Sequence, residues 1–331
     1  MADADDIDPS ALCARGSLSS REVATLRQGY YKDGIVGETE ADALFAIEQS
    51  CKEQPAEWGP LFVEALTDYL VHQVKPEGYL TAENAAWLTE RISHDGKVQT
   101  LNEFNLLVKV IEEARWAPST LSGLALNQVL DAVVEGTGPL RQAQAKPALG
   151  IVTAADVAAL RRILYASAGE GNIAITRHEA EIILEIGDAV DEALSDPSWA
   201  DLFAKAIANH LMFASGYTAP SREEVLRQED WLAAEPDIAG FLGEMIHTGL
   251  SGVWGSYHTP DAEDLALAKV EEQRRAILVD EEIAAPEANW VIDRLGRDGR
   301  ISQAEQALLS FIRSNSPKID PALQTLVNQY A

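Results

Sequence analysis

Apolar positions recur four times along the chain in the same relation to a short polar phrase. After Glu40, Glu103, Glu179 and Glu305, apolar residues stand at the fourth and seventh positions. They are Leu44 and Ile47, Leu107 and Val110, Ile183 and Ile186, and Leu309 and Ile312. Spacing by four and then three lays a single stripe along a helix. Each stripe is entered through a tight polar turn and a branched apolar residue: DGIVGETE from Asp33, DGKVQTLNE from Asp95, EGNIAITRHE from Glu170 and DGRISQAE from Asp298. A further helical pattern precedes each turn. REVATLRQGYY and ADVAALRRILYA are two examples, sharing Val-x-x-Leu-Arg at Val23 and Val157. The predicted unit is therefore helix, turn, helix, used four times.

The units alternate in kind. The first and third lead into a Trp-x-x-Leu-Phe helix, at Trp58, Leu61 and Phe62 and at Trp199, Leu202 and Phe203. The second and fourth are entered by a helix bearing Trp87 or Trp290, with Arg91 or Arg294 four residues on. Both are followed by a Pro-started segment, Pro118 to Leu124 and Pro321 to Leu326. This order predicts an all-α protein made of two tandem copies of a helical domain, at 18–136 and 151–331. A Gly-, Pro- and Gln-rich linker at 137–150 joins them, and an acidic tail at 1–17 precedes them. Trp58 and Trp87 stand 29 positions apart but Trp199 and Trp290 stand 91 apart. About 62 residues, near 216–277, are thus inserted in the second copy. They contain helical patterns and a Gly-rich stretch, GLSGVWGSYH, with Trp254 and Tyr257 between flexible glycines.

Asp-Gly followed by Val or Ile invites comparison with a calcium loop, which needs oxygen donors at positions 1, 3 and 5, Gly at 6 and Glu at 12. With Gly34 at position 6, positions 1 and 3 are Gly29 and Tyr31. With Gly299 there, they are Arg294 and Gly296. Neither supplies the early carboxylates. The glutamates have a simpler role in TLNE, TRHE and SQAE, which have the form of capping boxes: the hydroxyl accepts from the backbone N–H three residues on, and Glu reaches back to the cap's own N–H. GETE has the same spacing with Gly37 as the cap. The distance from turn to cap also drifts among the copies, which suits a helix start better than a rigid metal cage.

The phrase DGxI/VxxxE between helices resembles that of the TerB-like (tellurite-resistance) helical domains. DGIVGETE and DGRISQAE match it in full, DGKVQTLNE carries one extra residue, and EGNIAITRHE carries two with Glu for Asp. The resemblance implies an all-helical fold and, in some members, acidic residues that hold divalent cations. Carried across, it nominates Asp33, Glu40, Asp298 and Glu305 for calcium or magnesium, and after them Asp95 and Glu103.

Charge narrows the function classes. The 26 basic against 53 acidic residues give a net charge of -27. That opposes nucleic acid and anionic lipid, where Lys and Arg supply most of the affinity, and it favours cations or a basic partner. No run reaches the roughly 18–20 apolar residues of a membrane span. Cys13 and Cys51 are the only cysteines and are not in metal spacing, which points to a reducing cytoplasm. The six histidines are scattered, and Gly249, Gly252 and Gly255 lack the lysine of a phosphate loop. No nucleophile elbow occurs. The expectation is a non-enzymatic cytoplasmic binding or scaffold protein without a required cofactor. It would engage a protein partner through the insertion and the groove between copies, at Gly252, Trp254, Gly255 and Tyr257; self-association stays open. The alternative is a divalent-cation sensor or stress-response protein using the turn carboxylates.

Overall fold

The computed structural model describes residues 7–30, 35–142, 149–166, 175–214, 287–297, 300–315 and 321–330. Helices α1 (Pro9–Arg15), α2 (Ser20–Tyr30), α3 (Glu38–Ser50) and α4 (Trp58–Thr67) come first, and α4 runs on into a π-helical turn at Asp68–Gln73. Next come α5 (Ala82–Ile92), a two-stranded hairpin of β1 (Ser93–His94) and β2 (Lys97–Val98), α6 (Leu101–Glu113) and α7 (Ser119–Val134). A 3-10 turn at Pro139–Arg141 leads to α8 (Ala154–Ala166), α9 (Arg177–Ala189) and α10 (Ser198–Ala214). The described chain ends with α11 (Glu287–Arg294), α12 (Gln303–Asn315) and α13 (Pro321–Tyr330). The described residues are thus almost entirely helical, as the periodicity predicts.

All eight stripe residues enter the core, from Leu44 and Ile47 to Leu309 and Ile312. Full burial of such a side chain contributes about 1.5–3 kcal/mol, so the stripes decide which face of α3, α6, α9 and α12 turns inward. Tryptophans at the helix starts anchor the layers: Trp58 and Trp199 are buried and lie against Phe62 and Phe203, with ring centroids 5.9 and 5.7 Å apart. Trp87 lies under the Arg91 guanidinium at 3.7 Å, while Arg91 Nε and Nη2 donate to Asp42 at 2.9 and 2.7 Å.

Packing follows one plan on both sides of residue 150. Helix α4 packs on α6 and α10 on α12; α2 and α3 flank α4, and α8 and α9 flank α10; α6 meets α7, and α12 meets α13. The two halves join through α7, which lies against α8 and α9, and through α6 against α8. The buried apolar residues from Leu12 to Val327 form one continuous cluster across this join.

Two connecting segments are held by side chains. Residues 9–15, within the stretch read as an acidic tail, form α1, because Asp8 accepts from Ser10 N at 2.9 Å, Pro9 opens the helix and Leu12 enters the core. The 137–150 linker is tied down at Arg141. Its guanidinium donates to both oxygens of Asp156 at 2.8 and 2.7 Å, and both side chains are buried. Asp156 Oδ2 also accepts from Thr153 N at 2.8 Å, so the pair fixes the start of α8.

Candidate functional site

Buried polar contacts cluster around the residues that follow the repeated turns. The second turn is described in full. Asp95 and Gly96 both have positive φ, 51° and 77°, the conformation that joins two strands by a two-residue turn whose twist matches theirs. The strands pair Ser93 with Val98 and His94 with Lys97. Among the described residues, the branched residues just ahead of the helix starts turn inward, with Val36, Val98 and Ile175 buried and Ile301 half-buried. Burying a side chain directly after a turn also buries its backbone N–H, which needs an acceptor.

A side-chain amide provides that acceptor at three turns. Val36 N donates to Gln73 Oε1 at 2.7 Å, Val98 N to Gln128 Oε1 at 2.9 Å, and Ile175 N to Asn209 Oδ1 at 3.0 Å. Gln128 is itself fully buried and donates through Nε2 to Gly96 O and Leu124 O. These amides come from helices 30 to 37 residues away, and no local motif marks them. The recurring signal is a side-chain amide that accepts from the N–H of a buried branched residue.

Just past the plug, each glutamate closes a helix start. Glu40 Oε2 accepts from Gly37 N at 2.7 Å, Glu103 Oε2 from Thr100 N at 2.9 Å, Glu179 Oε2 from Thr176 N at 2.9 Å and Glu305 Oε2 from Ser302 N at 2.7 Å. The return bonds run from Glu103 N, Glu179 N and Glu305 N to the cap hydroxyls at 3.1, 3.2 and 3.1 Å. Gly37 has no side chain, so α3 has half a box. The second oxygen of Glu305 accepts from Gly296 N at 2.8 Å.

Behind the second cap lies a centre of buried carboxylate. Glu48, from α3, is 4% exposed. It accepts from Trp58 Nε1 at 2.6 Å, Gln54 Nε2 at 2.9 Å, Thr100 Oγ1 at 2.7 Å and Asn102 Nδ2 at 3.2 Å. All four donors are neutral. Gly59 makes room for this cluster, since a Cβ there would stand 2.5 Å from Asn102 Oδ1. Glu103, 1% exposed, lies on the far side of Thr100. Burial pushes its carboxyl up to about 7; the negative charge of Glu48 adds to this, and the Thr100 bonds oppose it.

Gly187 stands eight residues after Glu179, as Glu48 stands eight after Glu40, and Trp199 Nε1 is buried with no hydrogen-bond partner among the described residues. The carboxylate at the start of the partner helix comes instead from the loop before α10. Glu192 Oε2 and Oε1 accept from Gln303 N and Ala304 N at 2.7 and 2.8 Å.

No family model, curated protein or solved structure matches the chain.

Of the residues nominated for a metal, Glu40 and Glu305 each close their own helix start, and Asp33 and Asp298 lie outside the described residues. Asp95 and Glu103 stand apart in environment, the Asp95 side chain being 91% exposed and Glu103 buried. Among the described residues, no group of three or more His, Cys, Asp or Glu is placed to hold a metal ion. Gly252, Trp254, Gly255 and Tyr257 lie outside the described residues. Among the described residues, no helix is long and apolar enough to cross a membrane.

Proposed function

We propose that the chain is a non-enzymatic scaffold of TerB-like type, built by tandem duplication of one helical domain. Its frame presents the 216–277 insertion to a protein partner with a basic surface. The observation that carries this is how the buried polar groups are used. Glu48, Glu103, Gln128, Asp156 and Glu179 each hold a turn, a helix start or a neighbouring helix. His210 likewise faces Ile175 O at 2.8 Å. The repeats thus act as framework, and the segment that breaks their symmetry is where the two halves differ most. Recurrence of the α4–α6 and α10–α12 packing, with matching flanks, supports the duplication. The net charge of -27 supports a basic partner. With both Glu305 oxygens on backbone N–H groups, the divalent-cation alternative is the weaker of the two.

The test compares the full chain with a Trp254→Ala, Tyr257→Ala variant as bait at low and high salt. The expected result is a partner retained by the wild type, released by salt and lost in the variant, with both proteins melting alike. Equal capture by both proteins refutes the role of the insertion.

A further inference from the structure

The chain's two cysteines are 38 positions apart in sequence, yet the fold brings their backbones side by side. Helix α1 packs along α3, and the chain just beyond α1 runs beside the chain just beyond α3. Lys52 N donates to Gly16 O at 3.0 Å, Leu18 N donates to Glu53 O at 2.9 Å, and Ser17 bridges Glu53. Within this seam the Cys51 thiol donates to Leu12 O at 3.5 Å. That oxygen belongs to the peptide joining Leu12 to Cys13, so Cys13 Cα lies within about 6.5 Å of Cys51 Sγ.

We propose that Cys13 and Cys51 form a reversible dithiol–disulfide pair that locks α1 onto the end of α3. The two thiols differ in access: Cys13 is half-buried at the surface and Cys51 is buried. Burial pushes the Cys51 thiol up, and its neighbour Cys13 adds to the effect. Cys13 is therefore the attacking group and Cys51 the resolving one. The Cys13 thiolate attacks a small-molecule disulfide such as oxidised glutathione, whose S–S bond breaks to release one thiolate and leave a mixed disulfide. Cys51 then loses its proton to solvent, and its sulfur attacks Cys13 Sγ and expels the second thiolate. Two protein thiols are oxidised and one external disulfide is reduced to two thiols.

Neither cysteine sits in a long helix interior. Cys51 is the C-cap of α3, with φ -88° and ψ 106°. Cys13 lies in α1, a helix of seven residues of which Leu12 alone is buried. In the dithiol form, α1 is held by Leu12 and the backbone bonds of the seam. In the disulfide form it is stapled, and the closed loop restricts the unfolded chain.

The test uses the full-length chain, reduced and then transferred to glutathione buffers of increasing oxidised fraction. Samples are quenched in acid, denatured and alkylated with a maleimide. The species carrying two maleimides is expected to give way to an unmodified one lighter by about 2 Da than the dithiol. Peptide mapping is expected to link Cys13 to Cys51, and the melting temperature to rise by several degrees. Cys51→Ser is expected to stop at a glutathione adduct on Cys13 with no such rise. A wild-type adduct that never converts, a disulfide-linked dimer, or two free thiols at every ratio overturns the proposal.

Discussion

Replacing Glu103 by Gln tests whether the buried carboxylates act as the geometry indicates. Glu103 is 1% exposed, faces the negative charge of Glu48 across Thr100, and has its carboxyl raised from 4.5 to about 7, mainly by burial. A carboxyl raised by folding binds its proton more tightly in the folded state. Its contribution to stability is thus fully present below 4.5, declines as pH rises, and is gone above about 7. At about 1.4 kcal/mol per unit, the interval corresponds to roughly 3 kcal/mol. Glutamine keeps the oxygen that accepts from Thr100 N but carries no charge at any pH. Urea denaturation followed by tryptophan fluorescence at pH 5, 6, 7 and 8 gives the comparison. The wild type is expected to lose roughly 3 kcal/mol relative to Glu103→Gln between pH 5 and 8, with the variant the more stable at pH 8. Because both proteins share every other titrating group, only their difference matters. Parallel curves, or a wild type more stable than the variant at pH 8, would refute the argument.

Three further substitutions probe the rest of the framework. Arg141→Met leaves Asp156 buried without its partner and is expected to cost about 3–5 kcal/mol, measured by chemical denaturation, with little dependence on salt. Gly37→Ser supplies the missing half of the capping box on α3, where a Cβ meets only Glu40 Oε2 at 3.5 Å. It is expected to raise stability by about a few tenths of a kcal/mol, whereas Thr176→Ala on α9 lowers it by about 1 kcal/mol, both read by chemical denaturation. Gln128→Leu leaves the buried Val98 N–H without its acceptor and is expected to cost about 1–3 kcal/mol, with faster amide exchange confined to the 93–98 hairpin.

What was legible in the sequence was local in chain distance. A capping box spans three residues and an apolar stripe seven, so Glu40, Glu103, Glu179 and Glu305 and the stripes after them stand in the chain as they stand in the fold. Glu48 is hidden because a glutamate near the end of a helix, eight residues after Glu40, reads as solvent-facing. Its donors Thr100 and Asn102 lie 52 and 54 residues away. Gln73, Gln128 and Asn209 carry no local signal for the same reason, since their backbone partners lie 30 to 37 residues away. Arg141 sat in a stretch whose Gly and Pro content signals a loop, and composition does not report a buried partner. The short α1 lacks the repeated stripe that marks the other helices.

The Glu192 bond to the start of α12 has a consequence for building with this protein. That carboxylate belongs to the chain before α10, and its two acceptor bonds reach Gln303 N and Ala304 N across 111 and 112 positions. The start of α12 is therefore moored to the chain before α10 as well as to the residues that lead into it. Shortening the stretch between Ala214 and Glu287 is expected to leave the last helices in their berth, with amide exchange at Gln303 and Ala304 as slow as in the parent chain.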